Sequence, residues 1–293
     1  MARTLRILFD LGNTRLKWRV LQDDLVQDQG HLPVSEPNWT GLMQRLRAAA
    51  DQWSCAEDCQ AIGCRVGPRA LAQELETRLR QEMGLTIRWP SADSSLQVQW
   101  AGQQFSLEQQ YLEPARLGTD RWLAALGALV KWAADLGGAE ARSPDSSEAQ
   151  LGLVSAGTAT VLDRLAISRL DGGWRGQLKG GLIYPGFDLM RLALAQQTAD
   201  LAAYVEESIG RPLEAGLAID SVGAVQAGIA AAQAGPMAWA GPLDAVMVHG
   251  GQASAWSEAL ARLDPEGRLV ARQAVVQAED LVFLGLRVLA ESS

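Results

Sequence analysis

Residues 6–21 read RILFDLGNTRLKWRVL. Ile7, Leu8 and Phe9 form a short apolar run with the character of a buried strand, and Asp10 ends it. Gly12, Asn13 and Thr14 are turn formers; beyond them Leu16, Trp18 and Val20 alternate with Lys17 and Arg19. That pattern predicts a strand, a tight polar turn and a second strand. Such a turn is either a plain surface hairpin or a loop built to hold an anion. A second stretch, LGLVSAGTATVLDRLAI at 151–167, has the same build. Leu153 and Val154 lie in an apolar strand, SAGTAT forms a polar glycine turn, and another apolar strand follows. The recurrence predicts two copies of one α/β module whose turns face each other across a cleft.

Working outward, helical periodicity covers 39–53, and CQAIGCRVG (59–67) reads as a strand running into a glycine turn. Residues 68–84 form an amphipathic helix, with Pro68 suited to its first turn and Gly84 to its end. LTIRWP (85–90) is a further short strand, and this alternation of strands with helices indicates an α/β domain. At Gly118–Thr119–Asp120 irregular polar sequence gives way to a long apolar helix, with Thr119 the expected N-cap. Residues 139–150 are polar and aperiodic, which predicts an exposed loop. The stretch 172–186, GGWRGQLKGGLIYPG, reads as a glycine-rich loop, followed by a helix from Phe187 towards Gln196. SVGAVQAGIAAAQAG (221–235) is a small-residue helix. DAVMVHGG (244–251) is a strand, with a helix beginning near Gln252. Trp18, Trp122 and Trp132 suit core or interface packing.

The 293 residues suffice for two domains or one large one, and the division expected is 1–113 and 114–293, each part carrying one of the two turns. Apolar residues make up 48% and charged residues 20%, as in a water-soluble globular protein. A net charge of −8 argues against nucleic acid as the main partner. No stretch is apolar over the roughly 18 residues or more that a membrane span needs. The N-terminus lacks the layout of a signal peptide, so the expected compartment is the cytoplasm. Cys55, Cys59 and Cys64 fall short of the four ligands of a structural zinc site and read as three thiols. His249, at a strand end before Gly250–Gly251, reads as a satisfied polar side chain.

Phosphoryl transfer sets chemical requirements that the first turn meets in full and the second in part. Phosphate oxygens need close backbone N–H groups, which glycine permits, together with hydroxyl or amide donors and a positive charge. A nearby carboxylate holds Mg²⁺, directly or through water. DLGNTRLK offers Asp10 for the metal, Gly12 for close approach, Asn13 and Thr14 as donors, and Lys17 for charge. SAGTAT repeats the glycine and hydroxyls as Gly157, Thr158 and Thr160. Neither turn is a Walker A loop.

DLGNTRLK (10–17), YLEPARLGTDRW (111–122), SAGTATVLD (155–163) and GGLIYPGFDLMRLAL (180–194), in this order, resemble type III pantothenate kinases. The resemblance runs from about Ile7 to about Gly285, and its most specific part is Y-x-x-P-x-x-L-G-x-D-R, here Tyr111 to Arg121. It implies the acetate and sugar kinase/Hsp70/actin-like fold, with two ribonuclease H-like halves flanking a nucleotide cleft. It also implies ATP-dependent conversion of pantothenate to 4′-phosphopantothenate, the first step of coenzyme A synthesis, in a homodimer. Asp10, Leu11, Gly12, Asn13, Thr14, Arg15, Leu16 and Lys17 match the family's first phosphate loop, which binds ATP with Mg²⁺. Thr158 matches a nucleotide-contacting threonine of the second loop. Tyr111, Gly118, Thr119, Asp120 and Arg121 match the pantothenate site, with Asp120 as the proton acceptor. Thr198 matches a substrate contact that the dimer supplies across its subunit interface.

Asp120 at a helix N-terminus beside Arg121 is favoured as the anion. In a loose transition state such a carboxylate mainly orients the alcohol, which acidifies late. Arg121 would stabilise the transferring group or hold the pantothenate carboxylate. The chain departs from the family at Ser155, where an aspartate usually helps bind an activating potassium or ammonium ion. A neutral hydroxyl is the poorer ligand. Two other readings remain open at this point: a non-catalytic regulatory partner of a transcription factor on the same fold, and a kinase of another small alcohol.

Overall fold

In the computed structural model, which describes residues 4–23, 25–51, 58–136, 148–209, 217–268, 275–278 and 280–292, the opening hairpin forms as β1 (Thr4–Leu11) and β2 (Arg15–Gln22). Their antiparallel register sets Asp10 opposite Lys17 and Phe9 opposite Trp18. β3 (Leu25–Pro33) continues the meander on β2. β4 (Asp58–Arg65) then runs parallel to β1, and β5 (Ile87–Arg88) parallel to β4, giving the order β3-β2-β1-β4-β5. Parallel neighbours need a crossover, supplied here by α1 (Trp39–Asp51) and α2 (Arg69–Met83). Leu42, Leu46, Leu75 and Leu79 of these helices bury against Ile7, Phe9 and Trp18 of the strands. α2 is bounded by Pro68 and Gly84, as its sequence predicts.

β6 (Ser95–Trp100) and β7 (Gln103–Gln109) are neighbouring strands. α3 (Thr119–Lys131) follows and is buried from Arg121 through Val130, as befits a helix apolar on nearly every side. Its boundary differs from expectation. The Gly118 carbonyl accepts the N–H groups of Arg121 and Trp122, so Thr119 lies inside the first turn and is not the N-cap.

The second stretch builds β8 (Glu148–Ala156) and β9 (Ala159–Leu170), antiparallel, with β10 (Gly173–Pro185) antiparallel to β9. β10 corrects the glycine-rich loop expected at 172–186. Its Trp174, Gly176 and Leu178 alternate inward, so two of the three inward positions give a strand pattern that the glycines obscure. Gly180, at φ 138°, sits at the bulge that resets the register. Residues 148–150 also belong to a strand; the rest of the loop expected there, 139–147, lies outside the described residues.

α4 (Phe187–Gln197), α5 (Leu201–Ser208) and α6 (Ser221–Ala234) lead to β11 (Ala245–His249), parallel to β8. α7 (Ala253–Leu263) leads to β12 (Val275–Gln277), parallel to β11. The order β12-β11-β8-β9-β10 therefore repeats the first sheet strand for strand. The core here is Val154, Leu162, Val225, Ile229, Val248 and Trp256. Trp18, Trp122 and Trp132 are buried, as expected. The protein is an α/β fold of two ribonuclease H-like modules, the construction of the acetate and sugar kinase/Hsp70/actin class.

The chain ends as α8 (Leu281–Glu291), which packs on β1 and β4. One compact unit thus comprises residues 1–106, 111–130 and 281–293; the other comprises 107–110 and 131–280. A single cut at 113/114 does not describe this division, because α3 and α8 both bury their apolar faces in the first unit.

Candidate active site

In the first unit, the turn after β1 is closed by the Gly12 N–H, which donates to the Arg15 carbonyl at 3.0 Å. Asn13, Thr14 and Arg15 are left exposed at the tip, while Leu11 and Leu16 are buried below. Asp10 is buried at the base, and Lys17 on the facing strand lies 3.4 Å from its carboxylate. The Leu11 carbonyl accepts the N–H groups of Val66 (3.1 Å) and Gly67 (2.9 Å), which leave β4. A side chain at Gly67 would put its Cβ 2.1 Å from the Gly12 carbonyl oxygen. The turn is thus seated on the exit of β4.

The same β4 exit meets the start of α3. A Cβ built at Gly118 would lie 3.7 Å from Val66 Cγ1 and 2.5 Å from Asp120 Oδ1. Asp120 is half-buried, and its Oδ1 accepts the Arg121 N–H at 2.8 Å. Arg121 is buried; its guanidinium donates to the Tyr111 hydroxyl and lies 5.2 Å from that ring's centroid. The Leu11–Gly12 turn and the start of α3 at Gly118–Asp120 therefore both meet the exit of β4, with Tyr111 held to that start through Arg121.

In the second unit the turn after β8 is one residue shorter but also closed by its glycine: the Gly157 N–H donates to the Ala159 carbonyl at 3.1 Å. Thr158 is exposed at its tip. The Ala156 carbonyl, equivalent to that of Leu11, accepts the Gln252 N–H, and Gly250 at φ 101° lies against it. The Thr158 carbonyl accepts the Gly186 N–H at 3.0 Å, and a Cβ at Gly186 would lie 2.2 Å from the Gly157 oxygen. Ser155 Oγ is 2.5 Å from His249 Nε2, and His249 Nδ1 is 3.8 Å from the Asp280 carboxylate. His249 is buried and satisfied, as its sequence context predicts.

Some expected donors are committed elsewhere. Thr160 is fully buried and its hydroxyl donates to Gln233 Oε1 at 2.6 Å, so it is a core group and not a phosphate donor. Thr198 ends α4, the helix that starts beside the second turn, and its hydroxyl donates to the Leu194 carbonyl at 2.6 Å. A helix of this length separates its ends by roughly 15 Å, so Thr198 stands well away from that turn. Cys59 is half-buried and Cys64 buried on β4; Cys55 lies outside the described residues. Sequence reading missed Val66, Gly67, Gly186 and Asp280 as neighbours of the site. A glycine just after a strand was the available signal for Gly67; nothing local marked Asp280.

Comparison with known proteins agrees with this geometry. A sequence model of the type III pantothenate kinase family matches residues 6–238. A type III pantothenate kinase of Cupriavidus pinatubonensis is 31% identical over 243 residues, covering 78% of this chain and 79% of that protein. One from Azoarcus sp. is 33% identical over 231 residues, covering 78% and 71%. One from Burkholderia mallei is 29% identical over 271 residues, covering 87% and 91%. With two glycine turns of similar build, one seated beside Asp120, and a family match over most of its length, the chain belongs to the type III pantothenate kinase family.

Proposed function

We propose that this chain transfers the γ-phosphoryl group of ATP to the hydroxyl of pantothenate, yielding 4′-phosphopantothenate for coenzyme A synthesis, with Asp120 as the group that receives the proton. The observation that carries this reading is the seating of the Leu11–Gly12 turn and the Gly118–Asp120 segment on the same β4 exit. Phosphoryl transfer needs little from the protein beyond position and charge, and that convergence supplies both.

Each residue then has a task. Residues 10–17 hold the ATP phosphates, the exposed turn tip and Lys17 facing them. Asp10, buried at the turn base and carrying a carboxylate, fits a Mg²⁺ shell; the ion, when bound, offsets phosphate charge. Asp120 orients the pantothenate hydroxyl. As that oxygen bonds to phosphorus, the bridging P–O bond to ADP breaks and the proton passes to the Asp120 carboxylate. Arg121, fixed by Tyr111, holds the acceptor's carboxylate or the charge building on the phosphoryl group. Gly118 and Thr119 line the acceptor, and Thr158 contacts the nucleotide.

Two finer features belong to the same proposal. A homodimer forms, and Thr198 reaches pantothenate from the second copy; Ile183, Leu189 and Leu192 are exposed on β10 and α4, the helix that Thr198 ends, an apolar surface that a partner copy would cover. A monovalent cation contributes little at Ser155, whose hydroxyl is already engaged by His249. The reaction takes place in the cytoplasm.

The test is a coupled assay of ADP release by the purified full chain with ATP, Mg²⁺ and pantothenate, with the product identified by mass. Pantothenate-dependent ADP release and a phosphopantothenate product are expected. ADP release indifferent to pantothenate, or product formed equally well from an unrelated alcohol, would sink the proposal.

A further inference from the structure

On the other face of β4, a cavity of about 380 Å³ is lined by Arg65, Arg69, Ala72, Gln73, Glu76 and Trp89. Its construction is specific. Gly63 and Arg65 are two apart on β4 and share a face, whereas Val66, next in sequence, is directed to Gly118. Arg69, Ala72, Gln73 and Glu76 follow the three- and four-residue spacing of one side of α2.

Trp89 is the fixed wall. Its ring lies so close over Gly63 that any Cβ there would be 2.4 Å from Trp89 Cζ3. Its indole N–H donates to Glu76 Oε1 at 2.5 Å, which ties the ring to α2 and commits that carboxylate oxygen. The two guanidiniums differ from the other cations around them. Arg45, Arg47 and Arg78 all have carboxylates within ion-pair distance, whereas among the described residues neither Arg65 nor Arg69 has an ion-pair partner. In a chain with net charge −8, two arginines with no ion-pair partner among the described residues, converging on one aromatic-walled cavity, are positioned for an anion supplied from outside.

We infer that this cavity is a second ligand site, separate from the phosphoryl-transfer residues, for a small molecule joining a phosphate to a flat ring, the chemistry of a nucleoside monophosphate. Guanidinium groups present paired N–H donors that match phosphate oxygens, and they hold their charge at every physiological pH. An indole face takes a base by stacking without demanding a particular one. The volume lies at the lower end of the range for small-molecule sites, which suits one nucleotide. The site backs directly onto Val66 and Gly67, the residues that hold the first phosphate loop at Leu11.

The test is isothermal titration of the full-length protein with AMP, inorganic phosphate and adenosine separately, while a saturating non-hydrolysable ATP analogue with Mg²⁺ occupies the catalytic nucleotide site. AMP should bind one site with Kd below about 1 mM, the weak end for a specific small ligand. Arg65→Ala and Arg69→Ala, both on exposed positions, should each weaken it by about tenfold, the loss of one charge-assisted pair. Trp89→Leu should do the same, with a melting curve to show that it folds; the arginine variants stand if it does not. Phosphate alone and adenosine alone should bind at least about tenfold more weakly than AMP, because each uses half the site. The inference fails if AMP shows no saturable binding, if both arginine variants bind it like the parent, or if inorganic phosphate binds as tightly as AMP.

Discussion

At the scale of single residues, Asp120 accepts the Arg121 N–H through its Oδ1, and Ser155 shares its Oγ with His249 Nε2. Asp120 was visible in the sequence because everything that defines it is local: Tyr111, Gly118 and Arg121 lie within one short segment, and the guanidinium–tyrosine contact closes inside it. Asp120→Asn keeps the size and the acceptor for the Arg121 N–H while removing the carboxylate proposed to receive the proton. Turnover should fall by about a hundredfold or more, the usual worth of a positioned proton acceptor, with the melting temperature little changed. Near-parental kcat in a folded variant would remove Asp120 from its role. Ser155 was visible as a departure, but its partner was not: His249 is 94 positions away and reaches it only because β11 pairs in register with β8. With its hydroxyl engaged, Ser155 is a poor cation ligand, so kcat should differ less than about twofold between potassium and a large organic cation at equal ionic strength, an effect under about 0.5 kcal/mol. Ser155→Asp should create a potassium response, read as activity against potassium concentration. A strong saturable response in the parent would contradict this reading.

At the scale of elements, the two modules show what a repeat conserves physically. In each, the last carbonyl of the first strand, Leu11 or Ala156, is capped by N–H groups of the segment leaving the fourth strand, with a glycine pressed against the turn. The hairpins could be read from alternation and turn residues, because both signals are local. β10 could not, since its glycines mimic a loop and its strand character depends on β9 beside it. β12 and α5 also rest on their neighbours for stability and left little pattern of their own. The capping glycine yields a direct prediction. In Gly67→Ala the new methyl would lie 2.1 Å from a backbone oxygen of the turn, which no side-chain rotation relieves. The turn must move, costing about 1–3 kcal/mol of stability as other overpacked sites do. KM for ATP should rise by about tenfold or more while KM for pantothenate changes less, a split that separates loop displacement from general damage. Equal effects on both substrates would argue that the turn does not serve the nucleotide.

At the scale of the whole molecule, the chain does not divide at a single point, because α8 belongs with β1 and β4. α8 carries an apolar surface that reads like any core helix, and nothing near it says which sheet it will cover. The answer lies in its crossing with α3. A Cβ at Gly285 would lie 2.2 Å from the Leu123 carbonyl oxygen, and one at Gly127 would lie 2.2 Å from the Leu281 oxygen. The two backbones meet through reciprocal glycines, and Arg19 on β2 lies 4.8 Å from the Phe283 ring centroid at the same helix. Gly285→Ala sets two effects against each other. Alanine in place of glycine favours an isolated helix by up to about 1 kcal/mol. Driving a methyl into a facing backbone costs about 1–3 kcal/mol, and here the whole helix must shift to make room. The net effect should be destabilising, and it should be confined. Hydrogen exchange should quicken in β1 and β4, on which α8 packs, while β8 and β9 keep their protection. If the variant is more stable than the parent, or if protection falls equally in β8 and β9, the first unit does not depend on α8 for its closure.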